Sequence, residues 1–228
     1  MKKLLVGCAV WLVASSGLAA LKHEEVKRFQ ESARIIDELR GTPDKGIPDE
    51  LWKKARCVVV IPSLKKAAFV FGGEYGAGVM TCRHATGWSA PVFMQLAKGS
   101  WGLQIGAEEI DLALLVMNQR GADRLLEDKV SLGADASVAA GPVGRTADAA
   151  TDAKITAEML AYSRSHGIFA GIDLSGGVLK PDTESNERTY GAKVRPRRIA
   201  DGTERVTVPP EAQAFLESVS RERREASE

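Results

Sequence analysis

The histidines of this chain are its best candidates for metal binding or proton transfer, and they lie far apart. His23, His84 and His166 are the whole stock, and none neighbours another histidine or a CxxC pair. The ligand spacing of a zinc site is therefore missing. Ser100 lies in the sequence KGSWG, which is not the GxSxG turn that exposes a nucleophilic serine. The sequence thus predicts no metal site, no cofactor and no enzyme activity.

The glycine-rich segment Gly72–Gly78 superficially resembles a phosphate-binding loop. Such a loop follows a strand and precedes a helix. Here the apolar run Val79–Cys82 follows, which is typical of another strand. We therefore interpret the glycines as a hairpin or bulge, where the backbone must bend or approach another segment closely.

Arg145 is a candidate phosphate contact. It follows the turn-forming sequence Gly141–Gly144, and its planar guanidinium group suits phosphate. It could equally pair with a carboxylate such as that of Asp173, so both alternatives stay open.

Cys57 and Cys82 lie at the ends of predicted strands that could be neighbours. In an oxidising compartment such a pair can form a disulfide. The alternative is two buried thiols, because the sequence does not show whether the Cβ atoms face each other.

Short apolar runs bounded by glycine fill the middle of the chain, from Cys57 to Gly144. Their content of Val, Phe and Trp predicts strands. We expect an α+β fold in which N-terminal helices pack on a strongly bent antiparallel sheet, with a barrel as its extreme form. Further strands are predicted at Val130–Ala140, Lys154–Ser163 and Gly167–Lys180, followed by a helix at Thr183–Tyr190.

Leu21–Arg40 has the three- and four-residue apolar spacing of an amphipathic helix, and Gly41 ends it. One hypothesis is that this helix lies on a membrane, with its apolar face in the bilayer surface and its cations on anionic head groups. The residues proposed to contact lipid are Lys22, Val26, Lys27, Arg28, Phe29, Arg34, Ile36, Leu39 and Arg40. The alternative is that the same apolar face packs on the sheet.

Residues 1–19 have the layout of a secretory signal. Lys2 and Lys3 precede the apolar run Leu4–Ala14, which is too short to span a membrane, and small residues follow it. This layout predicts cleavage after Ala19 and an exported protein that is periplasmic or associated with the envelope. A lipoprotein anchored through Cys8 is the alternative, although the apolar run before that cysteine is short.

The charge balance disfavours nucleic acid as a partner. Removal of Lys2 and Lys3 leaves 29 basic residues against 30 acidic ones. Binding to a phosphate backbone requires a clear basic excess.

Several motifs, taken together in their order and spacing, resemble the SYLF domain. They are Ile47-Pro48, Phe71–Gly78, Arg83, Trp88–Pro91, Gly106-Ala107, Gly141–Arg145 and Tyr162–Gly171. The resemblance covers residues 47–191. It leaves residues 20–46 as an N-terminal amphipathic helix and residues 192–228 as a polar C-terminal tail with a short helix. In this tail we interpret the basic run Arg195–Arg198 as a linker.

The SYLF resemblance implies a lipid-binding module, and some eukaryotic members are linked to actin. We therefore expect a non-enzymatic protein that binds anionic phospholipid membranes. The alternative is a structural protein of the bacterial envelope that docks a protein partner on its sheet surface. The predicted N-terminal helix mixes acids with its cations, unlike a purely basic membrane helix. An exported bacterial chain meets no actin in its own envelope, so actin binding is not expected.

Overall fold

A computed structural model of the chain describes residues 21–41, 46–68, 71–101, 106–127, 129–143, 157–165 and 168–221. The fold is α+β, as the sequence predicts. The helices are α1 (His23–Gly41), α2 (Asp49–Lys54), α3 (Gln119–Leu125), α4 (Thr183–Tyr190), α5 (Pro196–Ala200) and α6 (Gln213–Ser220), with a 3₁₀ turn at Pro210–Ala212. Within the described residues, none of the helices is both long and apolar enough to cross a membrane.

The described strands form one mixed sheet that curls into a half-barrel. They are β1 (Cys57–Ala68), β2 (Phe71–His84), β3 (Gly87–Trp88), β4 (Val92–Trp101), β5 (Gly106–Val116), β6 (Val130–Ser131), β7 (Val138–Ala140), β8 (Met159–Ser165), β9 (Ile168–Gly171) and β10 (Gly177–Pro181). Their order is β6-β10-β4-β2-β1-β5-β8-β7, with β3 beside β2 and β9 beside β8. The β7–β8 pair is parallel, whereas the other paired strands are antiparallel.

Both faces of the central strands are buried, which explains why their sequences are apolar without alternation. Along β1, Val59 contributes to one core cluster, and its neighbours Val58 and Val60 contribute to the other. The first cluster is completed by side chains of α3 and α5, among them Leu125 and Ile199. The second is covered by α1, α2 and α6.

The glycine-rich segment lies inside β2. Gly72 and Gly73 pair with β1, so they are strand residues and not the turn that the sequence suggested. The predicted close approach is present at Gly78, where an added Cβ would lie 1.9 Å from the Val60 carbonyl oxygen. The β1–β2 register shifts by one residue between Val60 and Lys65, which indicates a bulge in β1.

Two predicted strands are each broken by a turn. Val130–Ala140 divides into β6 and β7, because Asp135 accepts a hydrogen bond from the Ser131 amide and closes a tight turn between them. Gly167–Lys180 divides into β9 and β10. There Asp173 accepts from the Ser175 amide at 2.8 Å, and β10 crosses to pair with β4.

The C-terminal segment is more ordered than the predicted polar tail. The basic sequence read as a linker contains α5, whose Ile199 and Ala200 are buried. Farther on, α6 buries Phe215 and Val219 in the cluster that also contains the apolar face of α1. Residues 192–221 therefore belong to the packed domain.

Replacing Gly78 with alanine is expected to destabilise the protein by about 3 kcal/mol or more, because the new methyl group collides with backbone rather than with a movable side chain. Gly99→Ala is the matched control, since no atom lies within 4 Å of a Cβ at that strand position. Urea unfolding of both variants measures the effect. Equal stability of the two variants would show that β1 does not approach Gly78 as described.

Candidate functional site

The apolar face of α1 packs on the sheet. Phe29 and Ile36 are 0% exposed and Leu39 is 1% exposed, and the Phe29 ring lies 5.1 Å from that of Phe93 in β4. Val26 remains partly exposed. In this arrangement the three buried side chains cannot reach a bilayer, so the structure shows the packing alternative. Packing on the sheet removes this apolar face from water, which is also the driving force that would favour its insertion into a membrane.

Two of the cations assigned to lipid hold α1 against α4. Arg28 pairs with the buried carboxylate of Asp182 at 2.7 Å, and Lys22 pairs with Glu184 at 3.2 Å. Between them, the buried Glu25 pairs with Arg188. We call these three ion pairs the α1–α4 clamp.

Asp182 is a second buried carboxylate of this clamp, beside Glu25, and it also caps α4. Its carboxylate accepts hydrogen bonds from the amide and hydroxyl of Ser185. Burial alone would raise the pKa of Asp182, but the hydrogen bonds from Arg28 and Ser185 outweigh it and hold that pKa below its usual value. Next to it, the Asn186 amide bonds both the N–H and the carbonyl of Phe93, each at 2.9 Å. The start of α4 is thereby fixed to both α1 and β4.

The cations in the second half of α1 are also engaged. Arg34 bonds Glu31 at 2.7 Å and Glu38 at 2.8 Å on its own helix. Arg40 lies 4.8 Å above the Trp52 ring and donates to the Arg221 carbonyl. Lys27 is exposed and has no partner within the described residues.

The predicted basic lipid face of α1 is therefore absent from this arrangement, because four of its five cations, Lys22, Arg28, Arg34 and Arg40, are turned to partners within the chain. The physical reason is the mixed sign of the helix and its surroundings, since a nearby acid or aromatic ring is available to each of these cations.

Cys57 and Cys82 are joined by a disulfide. They lie directly opposite each other on β1 and β2. The flanking Arg83 donates its amide to the Arg56 carbonyl at 2.6 Å, and its guanidinium lies 4.3 Å over the Trp88 ring. Of the two alternatives that the sequence left open, the structure shows the bonded pair.

The remaining sequence candidates show no assembled reactive centre. Arg145 and His166 lie outside the described residues. His84 packs beside Gly202, and within the described part of the chain it forms no ion pair with Asp123 or Asp201, which line the same small cavity. The described residues also contain no cluster of three or more side chains suited to a metal ion.

Five exposed cations lie in α5 or close to it in the chain. We call Lys193, Arg195, Arg197, Arg198 and Arg205 the cationic ridge. The stretch from Lys193 to Arg205 holds these five cations and two acids. Arg197 and Arg198 keep 55% and 56% of their side chains exposed and meet acids only at 3.9 and 3.6 Å. The side chains of the other three have no hydrogen bond or ion pair within the described residues.

Sequence reasoning missed the cationic ridge as a site, because it read Arg195–Arg198 as a linker. The available signal was the pair Ile199-Ala200 directly after the basic run. Two apolar residues following Pro196 fit a short helix with its cations outside, because proline favours the first turn of a helix.

The cationic ridge borders a cavity of about 510 Å³. The cavity lies where the end of β10 and the helices α3, α4 and α5 meet. Its charged lining residues are Glu127, Glu187, Arg195 and Arg197, and its apolar ones are Leu126, Pro181, Ala192, Val194 and Pro196. The cavity therefore presents both signs of charge beside an apolar wall.

Residues 97–222 match the protein family described as Ysc84, Las17-binding protein actin regulator. This match covers more than half of the chain and includes α5 and α6. Among similar curated proteins, Protein YSC84 of Saccharomyces cerevisiae is 36% identical over 178 residues, which are 76% of this chain and 37% of that protein.

Two further curated proteins are also similar in sequence to this chain. LAS seventeen-binding protein 3 of Saccharomyces cerevisiae is 35% identical over 171 residues, covering 73% of this chain and 37% of that protein. The human SH3 domain-containing YSC84-like protein 1 is 31% identical over 182 residues, covering 78% and 53%. The chain thus spans between about a third and about half of the length of these relatives.

Asp182→Asn is expected to lower stability at pH 7 by about 2 kcal/mol, because Arg28 loses a charged partner. The pKa of Asp182 is lower in the folded chain than in the unfolded chain, where an aspartate titrates at about 3.9. The ionised carboxylate therefore adds stability above that unfolded pKa, and this contribution is lost as the pH falls through the folded pKa. The difference between the natural chain and the variant should therefore be constant above about pH 5 and shrink below pH 4.

Urea unfolding at pH 7, 5 and 3 measures this difference. Asp37→Asn, which affects an exposed pair with Arg221, is the control and should change stability little at any of these pH values. A difference for Asp182→Asn that does not change between pH 7 and pH 3 would contradict the role given to its ionised carboxylate.

Proposed function

Since the chain belongs to the Ysc84/SYLF family, we propose that it is an exported, non-enzymatic module that binds anionic phospholipid surfaces through its cationic ridge. The family description names a regulator that binds another protein, which is a binding role rather than a catalytic one. The observation that carries the lipid proposal is the cationic ridge, whose members are exposed and only weakly paired.

The contrast with α1 supports this choice of surface. A cation already bonded to a buried carboxylate, as Arg28 is, must break that bond to meet a head group. A cation of the ridge meets a head group without losing a strong partner. Near an anionic membrane each exposed Lys or Arg contributes about 1 kcal/mol, so the five together supply useful affinity at low salt.

Two features support export. Residues 1–19 have the sequence layout of a secretory signal. Cys57 and Cys82 form a disulfide, which persists in oxidising compartments such as the periplasm.

The triple variant Lys193→Glu, Arg198→Glu and Arg205→Glu is expected to bind phosphatidylglycerol-containing vesicles at least about 100-fold more weakly, because three contributions of about 1 kcal/mol are lost. The mature protein is sedimented with vesicles of phosphatidylglycerol and phosphatidylcholine at low salt. Binding should also weaken as salt is added.

Lys27→Glu, Lys54→Glu and Lys65→Glu form the matched control, since these lysines are exposed and lie outside the ridge. This variant should keep most of the binding. If it loses binding while the ridge variant keeps it, the membrane contact lies elsewhere, with α1 as the first candidate through Lys27.

A second candidate function is docking of a protein partner on the sheet. Tyr75 in β2 is a large hydrophobic residue with 52% of its surface exposed, which is unusual among the described residues. Exposed tyrosines are frequent anchors of protein interfaces.

For this candidate we expect a partner cross-linked to the mature protein in envelope extracts to be lost in Tyr75→Ser and retained in Tyr75→Phe. The reason is that phenylalanine keeps the ring that would anchor the interface. Unchanged cross-linking in Tyr75→Ser would exclude this part of the sheet as the docking surface.

A further inference from the structure

We propose that the cavity beside the cationic ridge binds a head group that carries both a primary ammonium and a phosphate, as phosphoethanolamine does. The inference rests on the proposed function, because Arg195 and Arg197 belong both to the ridge and to the cavity. It adds a chemical selectivity that a basic surface alone does not have.

The size and the wall of the cavity suit such a ligand. A volume of about 510 Å³ lies within the range of roughly 300–1,000 Å³ that is usual for small-molecule sites. Leu126, Pro181 and Val194 form an apolar side. A glycerol backbone attached to the head group can pack against this side while the charged groups face the polar side.

The charged side chains of the cavity are available to a ligand. Glu127 and Glu187 are exposed and form no side-chain hydrogen bond or ion pair within the described residues. The Arg195 side chain is also exposed and without such a partner within the described residues, and Arg197 has only the 3.9 Å contact with Asp123. Asn186 also lines the cavity, but its amide is already bonded to Phe93 and Asp182.

The mixed signs select the class of ligand. A purely anionic group would meet the arginines but would also be repelled by two carboxylates in the same cavity. A ligand with a phosphate and an ammonium can place each charge on its complement, the guanidinium groups binding phosphate oxygens and the carboxylates accepting ammonium hydrogens. A trimethylated choline has no N–H to donate, so the carboxylates should favour ethanolamine over choline.

The test uses the mature protein and three soluble probes: sn-glycero-3-phosphoethanolamine, sn-glycero-3-phosphocholine and sn-glycerol 3-phosphate. Calorimetric titration should show at least tenfold tighter binding of the ethanolamine probe than of the other two. Glu127→Gln with Glu187→Gln should remove this preference, whereas Arg195→Gln with Arg197→Gln should weaken all three probes.

The matched control is Glu24→Gln with Glu211→Gln, two exposed acids outside the cavity lining. It should leave the preference unchanged. Thermal unfolding of each variant confirms that it is folded. Equal affinity for the three probes, or a preference that survives loss of Glu127 and Glu187, would overturn the proposal.

Vesicles separate the two sources of the head group. If vesicles containing phosphatidylethanolamine compete with the soluble probe, and phosphatidylglycerol vesicles bind through the ridge, the ligand is a lipid and both proposals stand. If the soluble probe binds but no vesicle does, the cavity assignment stands for a free ligand and the membrane function fails. If phosphatidylglycerol vesicles bind through the ridge and no probe prefers the cavity, the membrane function stands and this inference fails.

Discussion

The central strands of the sheet bury side chains on both faces, so each face of the sheet needs helices to cover it. Val58 and Val60 need a cover on one side of β1, and Val59 needs one on the other. The apolar face of α1, with Phe29 and Ile36, supplies the first cover together with α6. Because folding buries this face, α1 does not present it at the surface of the protein.

Electrostatics reinforces this arrangement at the N-terminal end of α1. Glu25 is 1% exposed, and an isolated charge at such a depth would be costly. Arg188 pairs with Glu25, and Arg28 pairs with the neighbouring Asp182, so both buried carboxylates have a cationic partner. Separating the partners of a buried pair leaves an uncompensated buried charge, so the pairs penalise any position of α1 that separates them. We infer that the α1–α4 clamp fixes the register of the helix on the sheet.

The sequence predicts the fold class well where the pattern is local. The spacing of apolar residues gives α1, and the segment Thr183–Tyr190 is a helix with Asp182 as its cap. The burial partner of α1 was not predictable, because a sheet and a bilayer select the same apolar stripe. The pairing of β10 with β4 was also hidden, since it joins segments about 80 residues apart without a local signal.

The candidate site was less predictable than the fold for a related reason. A five-residue helix such as α5 is too short to show a periodic pattern, so its cations looked like those of a linker. The convergence of Glu127, Glu187 and Arg195 depends on three elements meeting in space. The disulfide was visible as a pair of cysteines, but only the strand register shows that they face each other.

The long sequence distance across the α1–α4 clamp bears on how the protein is made. Glu25 and Arg188 are 163 residues apart, and Arg28 and Asp182 are 154 apart. A chain that emerges from a ribosome or a translocation channel with its N-terminus first must therefore wait for most of its length before these charges find each other. Until then α1 carries an unsheltered apolar stripe and lacks its α4 partners. Such a delay is compatible with the export proposed above, in which the chain would pass through a narrow pore before it folds.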